Sequence, residues 1–200
     1  IQIAQFTDRT GIEFGEAIDD LKEEGMQCFM LDLRSCPGGT LDGVIDVAGY
    51  LIPESPFVFI HEKDGVEYYY RSRGDLVNLP FVVLVNENTA SAAELLSGSI
   101  QDTGNSVIIG TKTYGKGIVQ GTYELPSGAG MKLTTSKYFT RNYQDIDKQK
   151  GINPDIVESD VSRQTEIGLN ILRNHVQYGD SITVTLGSKV LKTAKGEIVL

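Results

Sequence analysis

One serine and one lysine stand in local surroundings that suit nucleophilic catalysis. Ser91 lies where an apolar strand pattern gives way to a helix pattern, and the exposed amides and dipole at such a turn favour a developing oxyanion. Lys116 lies between Gly115 and Gly117, where the backbone can bend closely around a site. These two residues therefore suggest a nucleophilic serine with a lysine as its general base.

A lysine is the candidate base because no histidine lies in a segment expected to face Ser91. The two histidines are His61, before a hairpin turn, and His175, at the end of an amphipathic helix pattern; both are expected to be ordinary surface residues. Neither G-x-S-x-G nor S-x-x-K occurs in the sequence, which disfavours several common serine hydrolases. A lysine accepts a proton only when neutral, so burial must lower its pKa from about 10.4 towards about 7. We therefore expect an enclosed site around Lys116.

Two further segments would complete such a site. Pro37-Gly38-Gly39 follows an apolar strand pattern, so its amides can point at a substrate carbonyl, although a plain glycine turn would have the same sequence. Gln120 can hold the lysine amine, but four residues of extended strand span about 13 Å. Contact between Gln120 and Lys116 therefore requires a turn at the glycines.

Each of these residues also has an interpretation without catalysis. Ser91-x-x-Glu94 is a capping box for the helix that follows it, and Lys116 can be read as a solvated loop residue. Gly110-x-x-x-x-Gly115-Lys116 nearly matches a phosphate-binding P-loop. Glycine replaces the required Ser or Thr at position 117, however, and a strand pattern follows where a P-loop needs a helix. Nucleotide binding is therefore disfavoured.

The elements that must position these residues alternate between helix and apolar strand, which predicts an α/β core around a parallel sheet. Helices are predicted at residues 14–21, 41–51, 92–100 and 165–176. Strands are predicted at residues 28–33, 58–61, 67–71, 81–85 and 107–109, and in pieces between 118 and 139. The tail, residues 182–200, is predicted to hold short β segments punctuated by Gly187 and Gly196.

The composition disfavours several classes of function. The 200 residues, 40% of them hydrophobic, are enough for one main domain. An excess of 27 acidic over 18 basic residues gives a net charge of −9, which repels nucleic acid and anionic membranes. No apolar run approaches the roughly 18 residues of a membrane span, so we expect a soluble fragment, with any targeting signal outside it. Cys28 and Cys36 cannot form a disulfide framework, and no metal site is predicted.

Taken together, the motifs resemble those of the C-terminal processing peptidases, also called tail-specific proteases. Ser91 and Lys116 are 25 residues apart and Gln120 follows four residues later, as in the family pattern. The resemblance runs from Ile1 to about Val157. The matching segments are Asp32-Leu33-Arg34, Pro37-Gly38-Gly39, Asn86, Ser91-Ala92-Ala93-Glu94, Gln101-Asp102, Tyr114-Gly115-Lys116-Gly117-Ile118-Val119-Gln120 and Gly151-Ile152-Asn153-Pro154-Asp155.

The resemblance implies a serine endopeptidase that cleaves proteins near unstructured C-terminal tails, with no metal or organic cofactor. Ser91 would attack the peptide carbonyl, Lys116 would take its proton, and Gln120 would orient Lys116. The family fold is a Clp-protease/crotonase-like spiral α/β core with additional β-strands. The remaining implied residues are backbone amides for an oxyanion hole, at Gly38, Gly39 and Ala92, and two supporting acids, Glu94 and Asp102.

The resemblance also sets expectations about the rest of the protein. Residues 1–160 would form the catalytic core, and residues 161–200 a supporting helix with short β segments or the start of an appended module. The PDZ domain that usually precedes the core is absent from this chain, and is expected in the complete protein. Family members typically work in the bacterial cell envelope or the chloroplast lumen, so an extracytoplasmic location is implied. Cys36 stands where the family commonly has asparagine, and residues 139–142 lack the usual Pro-Ser-Gly-Arg. A catalytically inactive peptide- or ligand-binding module on the same fold is the alternative function.

Overall fold

The computed structural model describes residues 1–178 and four two-residue strands in the C-terminal tail. Helices and strands alternate in an α/β core, as predicted. The helices span Thr10–Glu23 (α1), Leu41–Leu51 (α2), Ala92–Thr103 (α3), Ile146–Gln149 (α4) and Val161–Tyr178 (α5). The strands span Phe29–Asp32 (β1), Ser55–Glu62 (β2), Glu67–Ser72 (β3), Phe81–Val85 (β4), Val107–Gly110 (β5), Ile118–Glu124 (β6), Gly130–Thr140 (β7), Ile156–Val157 (β8), Thr185–Leu186 (β9), Lys189–Val190 (β10), Lys192–Thr193 (β11) and Gly196–Glu197 (β12).

Four short strands form a parallel sheet in the order β1-β4-β5-β8. Leu31 pairs with Val83, which in turn pairs with Ile108, and all three side chains are fully buried. Helix α5 covers one face of this sheet through Ile171 and Leu172, while the larger core lies on the other face. Burial on both faces explains why β4 is a continuous apolar run and why Asp32 is the only polar residue of β1.

The second sheet is antiparallel, with the order β3-β2-β7-β6. Its β2–β3 hairpin is the one that the sequence predicts, and the strands predicted between residues 118 and 139 pair as a second hairpin, β6–β7. The inner face presents Val58, Ile60 and Tyr138 to the core. Helix α3 contacts β2 and β7 of this sheet and β5 of the parallel sheet. The first turn of α3 therefore lies where both sheets can supply residues to one site.

The structure differs from the predicted elements mainly where periodicity is too short to detect. The four-residue helix α4 and the two-residue strand β8 were not predicted, and α5 begins four residues earlier than expected. Cys28 lies just before β1 and is half-buried, so its placement in a buried strand was wrong. Gly196 lies within β12, not between strands, and Gly187 lies outside the described residues.

The described helices give no candidate for crossing a membrane, because none is both long and apolar enough. Helix α5, which begins the predicted C-terminal segment 161–200, packs on the parallel sheet. The division of the chain at residue 160 stays a prediction.

Candidate active site

Ser91 lies in the turn between β4 and α3, in a backbone conformation that few non-glycine residues adopt. Its φ is 57° and its ψ is −121°, and such a conformation persists only where the surroundings hold it in place. The preceding residues supply that restraint. The Thr89 hydroxyl donates to the Leu33 carbonyl at 2.9 Å, and the Ala90 N–H donates to the Cys36 carbonyl at 2.9 Å. The turn is thereby fastened to the segment that follows β1.

Glu94 joins the Ser91 turn to the loop that carries Lys116. Its side chain is fully buried one turn into α3. One carboxylate oxygen, Oε2, accepts the backbone N–H of Ser91 at 2.9 Å and of Lys116 at 2.8 Å. The other, Oε1, accepts the Thr113 hydroxyl and the Gly115 N–H, both at 2.6 Å. Glu94 thus makes its half of the expected capping box and also fixes the main chain of Lys116 relative to Ser91.

Ser91, Lys116 and Gln120 line one cleft of about 210 Å³. Gly115, just before Lys116, has a φ of +95°, and a β-bulge falls between Val119 and Gln120. The described residues show no hydrogen bond between Lys116 and Gln120, so their contact stays a prediction. Lys116 is half-buried and Gln120 is exposed, so the cleft is more open than the enclosed site expected from the sequence. No hydrogen bond between Ser91 Oγ and Lys116 Nζ occurs in the described part of the chain. The cleft is further lined by Gly39, Leu41, Ile60, Ala92, Leu95, Ile118, Val119, Lys132 and Tyr138.

The glycine loop packs directly against the Ser91 turn. Gly38 has a φ of +91°, and a Cβ there would lie 2.8 Å from both the Ser91 Cβ and the Ala92 nitrogen. Only glycine allows this approach. Gly39 and Ala92 line the cleft, and within residues 1–178 neither N–H donates to another backbone group. Gly39 and Ala92 therefore stay candidates for the predicted oxyanion hole.

Gly38 itself is buried, and its N–H lies close enough to the Cys36 thiol beneath the loop to lower the pKa of that thiol. Burial raises the pKa of the Cys36 thiol, and the Gly38 N–H only partly offsets that effect. Cys36 is a fully buried free cysteine. It therefore packs as a neutral side chain under the glycine loop, with its thiol outside the cleft.

Asp102, the second predicted supporting acid, lies at the other end of α3 and does not line the cleft. It accepts the Thr140 hydroxyl at 2.5 Å and the Asn142 N–H at 2.8 Å, together with the side-chain amide of Gln144. These bonds fasten the end of β7 to α3. Of the two acids, only Glu94 contacts the site directly.

Tyr138 is a residue of the site that sequence reasoning missed. It lies on β7, is 5% exposed and lines the cleft. Its hydroxyl donates to the Lys116 carbonyl. An aromatic residue in an alternating strand pattern normally indicates core packing. Nothing in the local sequence therefore indicates that the hydroxyl of this tyrosine makes a hydrogen bond at the site.

The remaining matched motifs brace the elements around the cleft. Arg34 forms a two-point ion pair with Asp32, at 2.9 and 2.6 Å, and reaches Gln164 of α5 at 3.2 Å. In the late Gly-Ile-Asn-Pro-Asp segment, Asp155 accepts the Ile108 N–H at 2.8 Å. Both contacts hold the parallel sheet to its neighbours.

The chain matches one protein-family model and is similar to several known proteins. Residues 1–158 match the model of peptidase family S41. A carboxyl-terminal-processing protease of Synechocystis sp. is 40% identical over 169 residues, which cover 84% of this chain and 39% of that protein. The chloroplastic carboxyl-terminal-processing peptidase 2 of Arabidopsis thaliana is 35% identical over 158 residues, covering 78% of this chain and 30% of that protein.

The solved structure of a photosystem II D1 C-terminal processing protease aligns with a TM-score of 0.74 at 31% identity. That alignment covers 86% of this chain and 45% of the other. The similarity confirms the predicted fold class, a spiral α/β core with additional strands. This chain spans less than half the length of each of these proteins.

Proposed function

This chain belongs to peptidase family S41, and we propose that it is the catalytic core of a serine endopeptidase acting near the C-terminal tails of proteins. Ser91 is the nucleophile, Lys116 is the general base, and Gln120 orients the lysine amine. The observation that carries the proposal is that these three residues line one cleft. The backbone N–H groups of Ser91 and Lys116 both donate to the buried Glu94 carboxylate.

The proposed reaction proceeds through an acyl-enzyme. Ser91 Oγ bonds to the scissile carbonyl carbon while its proton passes to Lys116 Nζ. The resulting oxyanion accepts hydrogen bonds from the N–H groups of Gly39 and Ala92, which line the cleft. The Lys116 ammonium then protonates the departing amine. In the second half, Lys116 takes a proton from a water molecule as that water attacks the ester carbonyl. The Lys116 ammonium then returns the proton to Ser91 Oγ as the ester bond breaks and the acid product leaves.

The proposed reaction requires an uncharged lysine at the moment when Ser91 attacks the substrate. The nearest buried acid, Glu94, has both oxygens occupied by four N–H and O–H donors. Its charge is therefore already compensated by groups other than the lysine amine. A peptide lying in the cleft would cover the half-buried Lys116, and desolvation favours an uncharged amine.

The substrates proposed for the complete protein are proteins or peptides with unstructured C-terminal tails, presented with the help of a PDZ domain. The names of the relatives, carboxyl-terminal-processing proteases, support this class of substrate. An extracytoplasmic location is proposed as well, and the relative from Arabidopsis thaliana is named chloroplastic.

Two substitutions in the full-length protein test the proposal. Ser91→Ala should lower cleavage of an unstructured protein tail by at least about 10³-fold, and Lys116→Met by at least about 10²-fold. Lys112→Met is the matched control: this exposed lysine of the same loop donates to the Gln149 carbonyl, and its loss should leave cleavage unchanged. Wild-type rates in either Ser91→Ala or Lys116→Met would remove the proposal. If the wild-type protein bound the tail without cleaving it, the alternative function, an inactive binding module, would be favoured. The observation on the side of that alternative is that Ser91 Oγ and Lys116 Nζ form no hydrogen bond in the described part of the chain.

A further inference from the structure

Tyr138 holds the lysine loop through two successive carbonyl groups. Its hydroxyl donates to the carbonyl of Lys116, and its main-chain N–H donates to the carbonyl of Gly117 at 3.1 Å. The residue belongs to β7, an inner strand of the antiparallel sheet, and pairs there with Ile60 of β2. One rigid strand position therefore fixes the segment from which the proposed base projects.

The same phenol faces the proposed nucleophile. Ser91 and Tyr138 line the same cleft, and the Ser91 hydroxyl lies close enough to lower the pKa of the phenol. Burial raises the pKa of Tyr138 far above its ordinary range, and the Ser91 contact only partly opposes that shift. The phenol therefore stays protonated at working pH. A neutral phenol that donates to Lys116 still has lone pairs with which to accept from the serine hydroxyl.

We propose that Tyr138 is a positioning residue, whose phenol holds the Ser91 hydroxyl and the Lys116 main chain at a fixed separation. A serine side chain otherwise has three staggered rotamers, and a lysine flanked by glycines has a permissive backbone. The phenol restricts both, so that the serine proton and the lysine amine meet when substrate fills the cleft. This inference rests on the proposed Ser–Lys reaction, in which Tyr138 itself neither gives nor takes a proton.

The test is Tyr138→Phe in the full-length protein, which removes one oxygen and leaves the main-chain bond to Gly117. We expect kcat for tail cleavage to fall roughly tenfold while KM stays within about twofold, because substrate contacts are unchanged and only alignment is lost. The rate at which a fluorophosphonate labels Ser91 should fall by a similar factor. Tyr143→Phe is the matched control, since that tyrosine is 51% exposed and should behave as wild type.

Loss of stability is separated from loss of alignment by dividing every rate by the folded fraction, measured by near-UV circular dichroism. An unchanged kcat in Tyr138→Phe would overturn the inference. So would a fall in activity that disappears after this correction, or one accompanied by an equal rise in KM. Ser91→Ala in the same series tells the two hypotheses apart. If Ser91→Ala is inactive while Tyr138→Phe is normal, only the role of Tyr138 is refuted; if Ser91→Ala cleaves, the proposed function itself is refuted.

Discussion

Glu94 shows how a single buried charge can set the geometry of a site without taking part in the reaction. A carboxylate removed from water is costly unless its oxygens are hydrogen-bonded, and all four bonds here come from the Ser91 turn and the loop that carries Lys116. The two segments are separated by more than twenty residues in the chain. Their mutual position therefore depends on this side chain.

Glu94→Gln should reduce both stability and activity. The amide nitrogen of glutamine would face two N–H or O–H donors that now bind an oxygen, so at least two hydrogen bonds are lost. We expect the free energy of unfolding in urea to fall by roughly 3 kcal/mol and kcat by about 10²-fold. Glu87→Gln is the control, because Glu87 is exposed and its carboxylate accepts the Thr111 hydroxyl without joining two segments of the site. Equal effects of the two substitutions would contradict this role of Glu94.

Cys36 should resist alkylation in the folded protein. Its thiol is fully buried, and burial raises its pKa, so little reactive thiolate forms. Cys28 is half-buried and should react first with iodoacetamide at pH 8, with Cys36 following only in denaturant. Mass spectrometry of the labelled peptides measures both rates. Equal labelling of the two cysteines in the native state would argue against the packing described beneath the glycine loop.

Among individual residues, the candidate catalytic residues could be predicted from the sequence better than the residues that position them. Ser91, Lys116 and Gln120 were predicted from their local surroundings and from the family resemblance, and the structure brings them to one cleft. Tyr138 was missed because its contacts with Ser91 and Lys116 arise from strand pairing between distant segments. The extent to which Lys116 is buried could not be predicted from the sequence either, because it depends on how β6 and β7 pack around the cleft.

Helix α3 is fastened at both ends by its own acids. Glu94 in its first turn holds the lysine loop, and Asp102 in its last turn holds the end of β7. Because β7 carries Tyr138, the C-terminal contact reaches the site through a strand. The two acids thus act at opposite ends of the element that presents Ser91.

Asp102→Asn should therefore have a graded effect. The amide loses an acceptor for part of the Thr140, Asn142 and Gln144 group, so the free energy of unfolding should fall by about 1–3 kcal/mol. Because the strand relays the change, we expect kcat to fall less than in Glu94→Gln. Asp64→Asn is the control, an exposed turn residue that accepts from Val66. If Asp102→Asn abolished cleavage in fully folded protein, Asp102 would have a more direct role than its position indicates.

The accuracy of the predicted elements follows their length and environment. Helix α2 and strand β4 match the predicted bounds, because Thr40 caps the helix at Gly43 N–H and the strand is a continuous apolar run. Helix α4 and strand β8 have too few residues to show a period. Their positions are set by tertiary contacts such as that between Ile152 and Thr113.

For the molecule as a whole, helix α5 covers the parallel sheet although the family match ends at residue 158. Ile171 is fully buried in the cluster between α5 and the sheet. Ile171→Ala should lower the free energy of unfolding by about 2–4 kcal/mol, in a single cooperative transition. Leu169→Ala, at a position 38% exposed, should cost less than about 1 kcal/mol. Two separate transitions for residues 1–160 and the segment after them would instead support an independent C-terminal unit.

The most direct test of the central claim is to measure which residue of the full-length protein a fluorophosphonate modifies, and whether the rate depends on Lys116. Tandem mass spectrometry should locate a single adduct on Ser91 in the wild-type protein and in Lys112→Met. The adduct should form at least about 10²-fold more slowly in Lys116→Met, because the serine then has no base. An adduct on another residue, or labelling of Ser91 at an unchanged rate without Lys116, would contradict a Ser–Lys peptidase.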